Sequence, residues 1–470
     1  MNASRHKVNV LFPLEVLNRE LDSKLILACI SATAANRIFI GQHDVLFDVV
    51  TKTGMTGGVY VGKNIFRDLF PIETGARYRE LKQQGFALVH LHEEGAVFEG
   101  DEERWRKTLL DCLNPAILDK DDYLCTWGDF QRDYYQSLNP PCVGNIVTTG
   151  HPRFDYLKPS YRSYFEPDVQ RIKARLGQFI LINSAFGQVN NCLGLADTFS
   201  PRLNYDPADA GRRVATFSTF AHEALFIGAF IKLANNISLR WPDINIVWRP
   251  HPSENWDYYR TVFANIPNVH VLHEGPVTPW LMACSMLIHN GCTTGIEAYF
   301  AGTNVINYKP SFDPFCDLYL PNLFGVECPT EDAVMCHVDA MLGTVKPAGP
   351  SARLDEYAHA LMRNFREDAT SHFLKVLEAT EQRQARVLQT WNPGAIRRGE
   401  RVRSAVEALK NIVRPALPEK QRTYKALKSH FVGLDTSLVE TKVRALEAML
   451  GKCFAVTFYS SDLFSIELDG

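Results

Sequence analysis

The sequence predicts an α/β protein made of two consecutive doubly wound domains facing a cleft, followed by a mainly helical extension. Three observations predict it. Short apolar runs alternate with amphipathic stretches of about ten to fifteen residues, the mark of right-handed βαβ units on a parallel sheet. The alternation breaks around Gly150-His151-Pro152 and restarts at Phe179. Beyond about Thr330 the pattern turns mostly helical. The expected boundaries are therefore 1–155 for the first domain, 160–330 for the second and 331–470 for the extension.

The elements follow in order. Val8–Leu14 reads as the first strand, and Leu21, Leu25, Ile26 and Cys29 recur at helical spacing in a helix from about Asn18 to Ala35. Strands are expected at Arg37–Ile40, Val59–Val61, Phe86–Leu91, Tyr123–Thr126 and Asn145–Thr148, with helices near Thr74–Gln84 and after Gly128. The Pro-containing stretch up to Ser160 reads as a linker. In the second domain Phe179–Ile182, Ile244–Trp248, Val269–Leu272, Met286–Ile288 and Asn304–Ile306 read as strands. Helices are expected at Ser218–Leu239, about Thr278–Ala283 and Thr293–Phe300.

Composition narrows the class. With 470 residues, 46% hydrophobic and 22% charged, the chain buries a large core without disulfide or metal staples. A net charge of −3 argues against a general nucleic-acid binder. The 11 cysteines are scattered, with no CxxC pair and no zinc-ligand spacing, so free thiols in a reducing cytoplasm are expected and no metal. No signal peptide or uninterrupted apolar span stands out. Residues 381–430 carry 12 Lys and Arg against 4 Glu. That stretch reads either as a solvated helical face or as a patch for an anionic acceptor or the inner-membrane surface.

Three constellations end apolar strands, where open α/β sheets bind ligands. The first is His92-Glu93-Glu94-Gly95. Adjacent carboxylates repel, which raises the pKa of one and suits a general base, although a solvated loop reads equally. The second is Arg249-Pro250-His251-Pro252-Ser253-Glu254, in which two prolines aim one imidazole and Ser253 is placed to cap a following helix. The third is His289-Asn290-Gly291-Cys292-Thr293-Thr294-Gly295-Ile296-Glu297, a Gly/Thr-rich turn opening a helix and suited to phosphate and ribose. Asn183, after the strand at 179–182, and Arg19 and Arg153 complete the set.

Together, Glu93-Glu94-Gly95, His251-Pro252 and Thr293-Thr294 resemble the three motifs of bacterial GT-B sialyltransferases. The stretch from about Val8 to Asn322 is also similar to a family of surface-carbohydrate biosynthesis proteins. That similarity runs through Arg19-Glu20-Leu21-Asp22-Ser23-Lys24, Gly150–Asp155, Arg249–Glu254 and His289–Thr294. Kdo transferases share the frame and the CMP-sugar donor.

The resemblance implies a GT-B-like, metal-independent glycosyltransferase without a cofactor. It would move an ulosonic acid, of the sialic, legionaminic, pseudaminic or Kdo type, from a CMP-sugar to a surface glycan or lipid-linked glycan. Glu93 or Glu94 would take the acceptor proton, and His251 would meet the departing phosphate. Arg249, Pro252, Ser253, Asn290, Gly291, Cys292, Thr293, Thr294 and Glu297 would hold the nucleotide, with Glu297 or Asn290 on the ribose. Arg19, Arg153, Asn183 and His289 would serve donor or acceptor. The alternatives are an enzyme like UDP-GlcNAc 2-epimerase on the same fold, or a non-catalytic nucleotide- or glycan-binding assembly factor. The expected location is the cytoplasm, with peripheral inner-membrane contact through 381–430 as the further option.

Overall fold

The computed structural model describes residues 7–62, 75–93, 95, 98–203, 205–317, 319–342, 360–413 and 431–469. The chain divides into two compact units, each an α/β structure around its own sheet. Unit 1 comprises Met1–Gly95, Leu109–Tyr156 and His359–Gly470; unit 2 comprises Ala96–Thr108 and Leu157–Ala358.

In unit 1, β1 (Val8–Leu14), β2 (Asn36–Gln42), β3 (Gly58–Val61), β4 (Phe86–Leu91), β5 (Tyr123–Thr126) and β6 (Ile146–Thr148) are parallel. Every residue of β1 is buried, because helices cover both faces of a parallel sheet and a central strand then reads as an unbroken apolar run. At its one polar member, Asn9, the backbone N–H donates to Gln389 Oε1 at 3.2 Å and the side-chain Nδ2 to the Thr390 carbonyl at 3.4 Å. The chain passes from β1 to β2 on one side and then to β3 on the other, the signature of a doubly wound sheet.

The C-terminal part departs from the expected helical extension. Glu331–Leu342 lies in unit 2, whereas from His359 onward the chain belongs to unit 1. There it supplies helices at Ala369–Gln384, Pro393–Val413 and Thr436–Leu450 and a hairpin, β13 (Phe454–Ser460) with β14 (Leu463–Leu468). β14 pairs antiparallel with β2, so the sheet has eight strands in the order β13-β14-β2-β1-β3-β4-β5-β6. The physical reason is the open edge of β2, whose N–H and C=O groups need a partner strand.

Unit 2 has a six-stranded parallel sheet. Its strands are β7 (Phe179–Asn183), β8 (Asn245–Arg249), β9 (Val269–Val271), β10 (Met286–His289), β11 (Asn304–Tyr308) and β12 (Val326–Cys328), in the order β12-β11-β10-β7-β8-β9. From β7 the chain visits β8 and β9 on one flank, then crosses to β10, β11 and β12 on the other. The core gathers Ile180, Ile182, Phe230, Trp248, Met286 and Ile288. The long helix Ala210–Arg240 buries Phe226, Phe230, Leu233 and Ile237 there. Among the described residues it is the one helix long and apolar enough, by length and composition, to cross a membrane.

Candidate functional site

In unit 2 the register aligns the strand ends. Asn183 lies opposite both Arg249 and His289, and His289 lies opposite Asn307. Because all the strands are parallel, the loops after β7, β8 and β10 leave from one edge, on either side of the point where strand order reverses. Such a crevice is where doubly wound sheets hold ligands.

The loop after β8 is locked from within. Glu254 is buried and accepts hydrogen bonds from the His251 backbone N–H at 2.7 Å, from Ser184 Oγ at 3.0 and 3.1 Å and from the Tyr259 hydroxyl. Burial raises its carboxyl to about 7, against the hydrogen bonds that favour the charged form. Glu254 thus ties the loop after β7 to the loop after β8. The Ser253 N–H donates to His251 Nδ1 at 3.2 Å, with Ser253 Oγ at 2.7 Å from the same nitrogen. A backbone N–H can only donate, so the neutral imidazole carries its proton on Nε2. His251 itself is exposed. The result is an exposed ring whose orientation is set through Nδ1.

Arg249 is engaged otherwise than expected for an anion ligand. It is buried, and its Nη1 and Nη2 donate to the carbonyls of Glu274 and Gly275 at 3.0 and 2.6 Å. Burial lowers its pKa to about 10. Its guanidinium holds the turn after β9, a turn that Trp280 also fastens through its Nε1–H to the Glu274 carbonyl.

The loop after β10 is built around His289, which has no exposed surface. Its Nδ1 accepts the N–H groups of Gly291 at 3.0 Å and Cys292 at 3.2 Å, and burial lowers its pKa to about 3, so the ring is neutral. His289 therefore shapes the turn. Gly291 sits at φ 101°, and a Cβ on Gly295 would fall 2.4 Å from His289 Cε1, so both glycines are required. The helix Thr293–Phe300 starts at Cys292 with no side-chain cap. Thr293 and Thr294 are half-buried and Glu297 is buried. Beside this turn, the buried Oδ1 atoms of Asn183 and Asn290 accept no hydrogen bond from the protein. Buried polar atoms in that state mark a place where a ligand's donors fit.

Unit 1 holds the acidic motif. Glu93 is 3% exposed, with Lys24 Nζ 3.1 Å from Oε1, and His151 Nε2 at 3.1 Å and Arg153 Nη1 at 3.3 Å from Oε2. Burial alone would raise its pKa. Lys24, then His151 and Arg153, outweigh that and hold the carboxyl well below the usual range. The raised pKa expected from like-charge repulsion is therefore not found at Glu93; two buried cations reverse its sign. Glu94 lies outside the described residues. His151 is itself neutral, lowered by burial to about 4, and its Nδ1 accepts the Arg153 N–H at 3.2 Å. Gly95 is required because a Cβ there would sit 2.8 Å from the Trp127 ring. Arg19 is half-buried, with Nη2 3.2 Å from Glu20 Oε1.

The sequence-nominated residues thus fall into two groups. Arg19, Glu93 and Arg153 belong to unit 1. Asn183, Arg249, His251, Pro252, Ser253, His289, Asn290, Gly291, Cys292, Thr293, Thr294 and Glu297 belong to unit 2. Lys24, Ser184 and Glu254 carry no role in the sequence reading, although Lys24 and Glu254 lie within its motifs and Ser184 directly follows Asn183. It also found no metal-ligand spacing, yet unit 2 brings His222, Asp313 and Cys316 together across a long sequence separation.

No family model matches the chain, and no curated protein matches it. Among solved structures, it is similar to UDP-GlcNAc 2-epimerase from Methanocaldococcus jannaschii in complex with UDP-GlcNAc and UDP. The identity is 9% and the TM-score 0.45, over 79% of this chain and 99% of that one. The wall teichoic acid polymerase TagF (H548A) matches at 10% identity and TM-score 0.45, over 81% of this chain and 90% of its own. UDP-GlcNAc 2-epimerase from Neisseria meningitidis, bound to UDP-GlcNAc, matches at 12% identity and TM-score 0.42, over 79% and 100%.

Proposed function

We propose that the protein is a glycosyl-transferring enzyme whose unit 2 binds a nucleotide-activated sugar. The observation that carries this reading is the carboxyl edge of the unit 2 sheet. His251 is exposed and oriented by the Ser253 N–H at its Nδ1, and two unsatisfied amide oxygens, on Asn183 and Asn290, lie at the strand-order reversal. His251 and the opening N–H groups of the helix Thr293–Phe300 would meet the phosphate, and Asn183, Asn290 or Glu297 the sugar and ribose hydroxyls. In the finer form of the reading the donor is a CMP-ulosonic acid and the acceptor a glycan or lipid-linked glycan. The acidic motif would supply the base; because Glu93 is buried among cations, Glu94 is the member proposed to take the acceptor proton. The reaction itself would use no metal or cofactor.

The same reading places the protein at a membrane surface through Pro393–Val413. Val402, Val406 and Leu409 are exposed at 64%, 42% and 64%, at helical spacing, alongside exposed Arg397, Arg398 and Arg401. An apolar stripe bordered by arginines suits an anionic interface.

Thermal stabilisation by CMP, UDP, CDP and GDP at equal concentration tests the nucleotide, since a ligand bound only by the folded form raises the melting point. CMP is expected to stabilise most. Release of free nucleotide from CMP-Neu5Ac or CMP-Kdo in the presence of acceptor tests the transfer. Stabilisation by UDP alone, with epimerisation of UDP-GlcNAc, would replace the reading. Binding without turnover of any donor would reduce the protein to a carrier.

A further inference from the structure

A group of side chains outside the nucleotide crevice has metal-binding chemistry. His222 lies on the helix Ala210–Arg240, while Asp313 and Cys316 lie in the turn after β11. One ligand atom from each lies within 4.8 Å of the others, and all three residues are half-buried. That spacing brackets the separation of atoms around one first-row divalent ion, whose bonds to N, O and S run about 2.0–2.3 Å.

The turn is organised before any ion arrives. Asp313 Oδ1 accepts the Phe315 N–H at 2.8 Å, and the Asp313 carboxylate also accepts the Cys316 S–H, whose proton an ion would displace. The Asp313 carbonyl accepts the N–H groups of Cys316 at 3.0 Å and Asp317 at 2.9 Å, and Asp317 Oδ2 accepts the Asp313 N–H at 3.1 Å. These bonds place Asp313 and Cys316 on one side of a single turn. On the facing helix, His222 packs against Phe226 with ring centroids 4.2 Å apart, which limits its rotation. The Phe315 ring carries the Arg104 guanidinium at 3.5 Å from its centroid, fastening the turn from outside.

We propose that His222, Asp313 and Cys316 bind a single Zn²⁺ ion. One imidazole nitrogen, one carboxylate oxygen and one thiolate form the mixed N/O/S set that tetrahedral zinc accepts, and partial exposure leaves the fourth position to water. Charge balances: on binding, the Cys316 S–H bond breaks, an S–Zn bond forms and one proton leaves to solvent. The thiolate and the Asp313 carboxylate then neutralise the dication. The ion would fasten the long helix to the turn that follows β11. It is a role separate from glycosyl transfer, and it stands whether or not the nucleotide reading holds.

Full-length protein stripped with chelator and dialysed against excess Zn²⁺ is expected to retain one equivalent per chain by elemental analysis. Reconstitution with Co²⁺ is expected to give a thiolate-to-metal charge-transfer band in the near ultraviolet. Cys316→Ser removes that band, and His222→Ala and Asp313→Asn each lose the bound ion. Zn²⁺ is further expected to raise the melting point of the wild type but not of Asp313→Asn, a conservative variant whose metal-free melting point serves as its folding control. Retention of less than a tenth of an equivalent by the wild type, on the order of trace contamination, would overturn the proposal. So would an undiminished cobalt band in Cys316→Ser.

Discussion

Single residues here divide into those that shape loops and those exposed at a strand end. His251 belongs to the second kind: it is exposed, and the Ser253 N–H at Nδ1 orients its ring. If it stabilises charge on the leaving phosphate, His251→Ala lowers turnover by ~10²–10³, the value of one preorganised donor, with the fold unchanged. Unchanged turnover in that variant would refute the assignment. Glu93 belongs to the first kind. Glu93→Gln leaves Lys24 and Arg153 buried without their countercharge, so a stability loss of ~3–5 kcal/mol is expected in urea denaturation. A variant as stable as wild type but inactive would return Glu93 to the role of base. The motifs carrying both residues were legible as strand-end clusters of unusual composition. The sign of the Glu93 pKa was not, since it depends on Lys24 from the first helix and on His151 and Arg153 from beyond β6, none of which the local sequence places nearby. Glu254 escaped notice for a similar reason: it reads as a solvent-facing acid after Ser253, and only Ser184 and Tyr259 show it to be buried.

At the scale of elements, the parallel strands were legible because burial on both faces writes continuous apolar runs such as Phe179-Ile180-Leu181-Ile182. The C-terminal hairpin was not, although Phe454–Ser460 and Leu463–Leu468 are rich in aromatic and β-branched residues around a Ser-Asp turn. Their signal is an edge alternation, weaker than a central run, and it follows a stretch of strongly helical text. The structural consequence is testable. Phe464 is fully buried beside Ile40 of β2, so Phe464→Ala is expected to destabilise unit 1 by ~3–5 kcal/mol, read as a lower urea midpoint. A neutral result would mean the hairpin is dispensable to the sheet. By contrast, Leu409→Ser on the exposed stripe is expected to leave stability within about 0.5 kcal/mol. It should nevertheless reduce co-sedimentation with vesicles of anionic lipid; equal sedimentation would remove the membrane reading.

For the whole molecule, buried and half-buried titrating groups set the response to pH. His151 and His273 are lowered to about 4 and His289 to about 3, each chiefly by burial. Unfolded histidines bind protons below about 6.5, which the folded ones refuse. Their contribution is present above that pH and is lost as pH falls toward 4. Three carboxyls, buried at Glu254 and half-buried at Glu223 and Glu381, work in the opposite sense. Glu254 and Glu381 are raised to about 7 and Glu223 to about 8, again chiefly by burial. The folded form holds those protons longer, so this contribution is complete below about 4.5 and is lost as pH rises through 7 to 8. Between about pH 4.5 and 6.5 the two sets, three groups each, oppose one another, so the urea midpoint is expected to change little there, to fall as pH rises from 6.5 through 8 and to fall again below 4.5. A midpoint that rises from pH 5 to 8 would contradict the raised carboxyls, and one that falls steadily from pH 5 to 6.5 the lowered histidines.

The route of the chain has its own implication for synthesis on the ribosome. All of unit 2 has been translated by Ala358, while the β-sheet of unit 1 still waits for its last two strands and for Asn364 and Thr370. Those two residues bind His151 and Asp155. The N-terminal strands, made first, would then be the last to reach a finished state, and for most of translation the edge of β2 stays unsealed. Nascent chains arrested near residue 358 should protect unit 2 from protease while β1 and β2 remain cleavable, an order opposite to that in which the two were made.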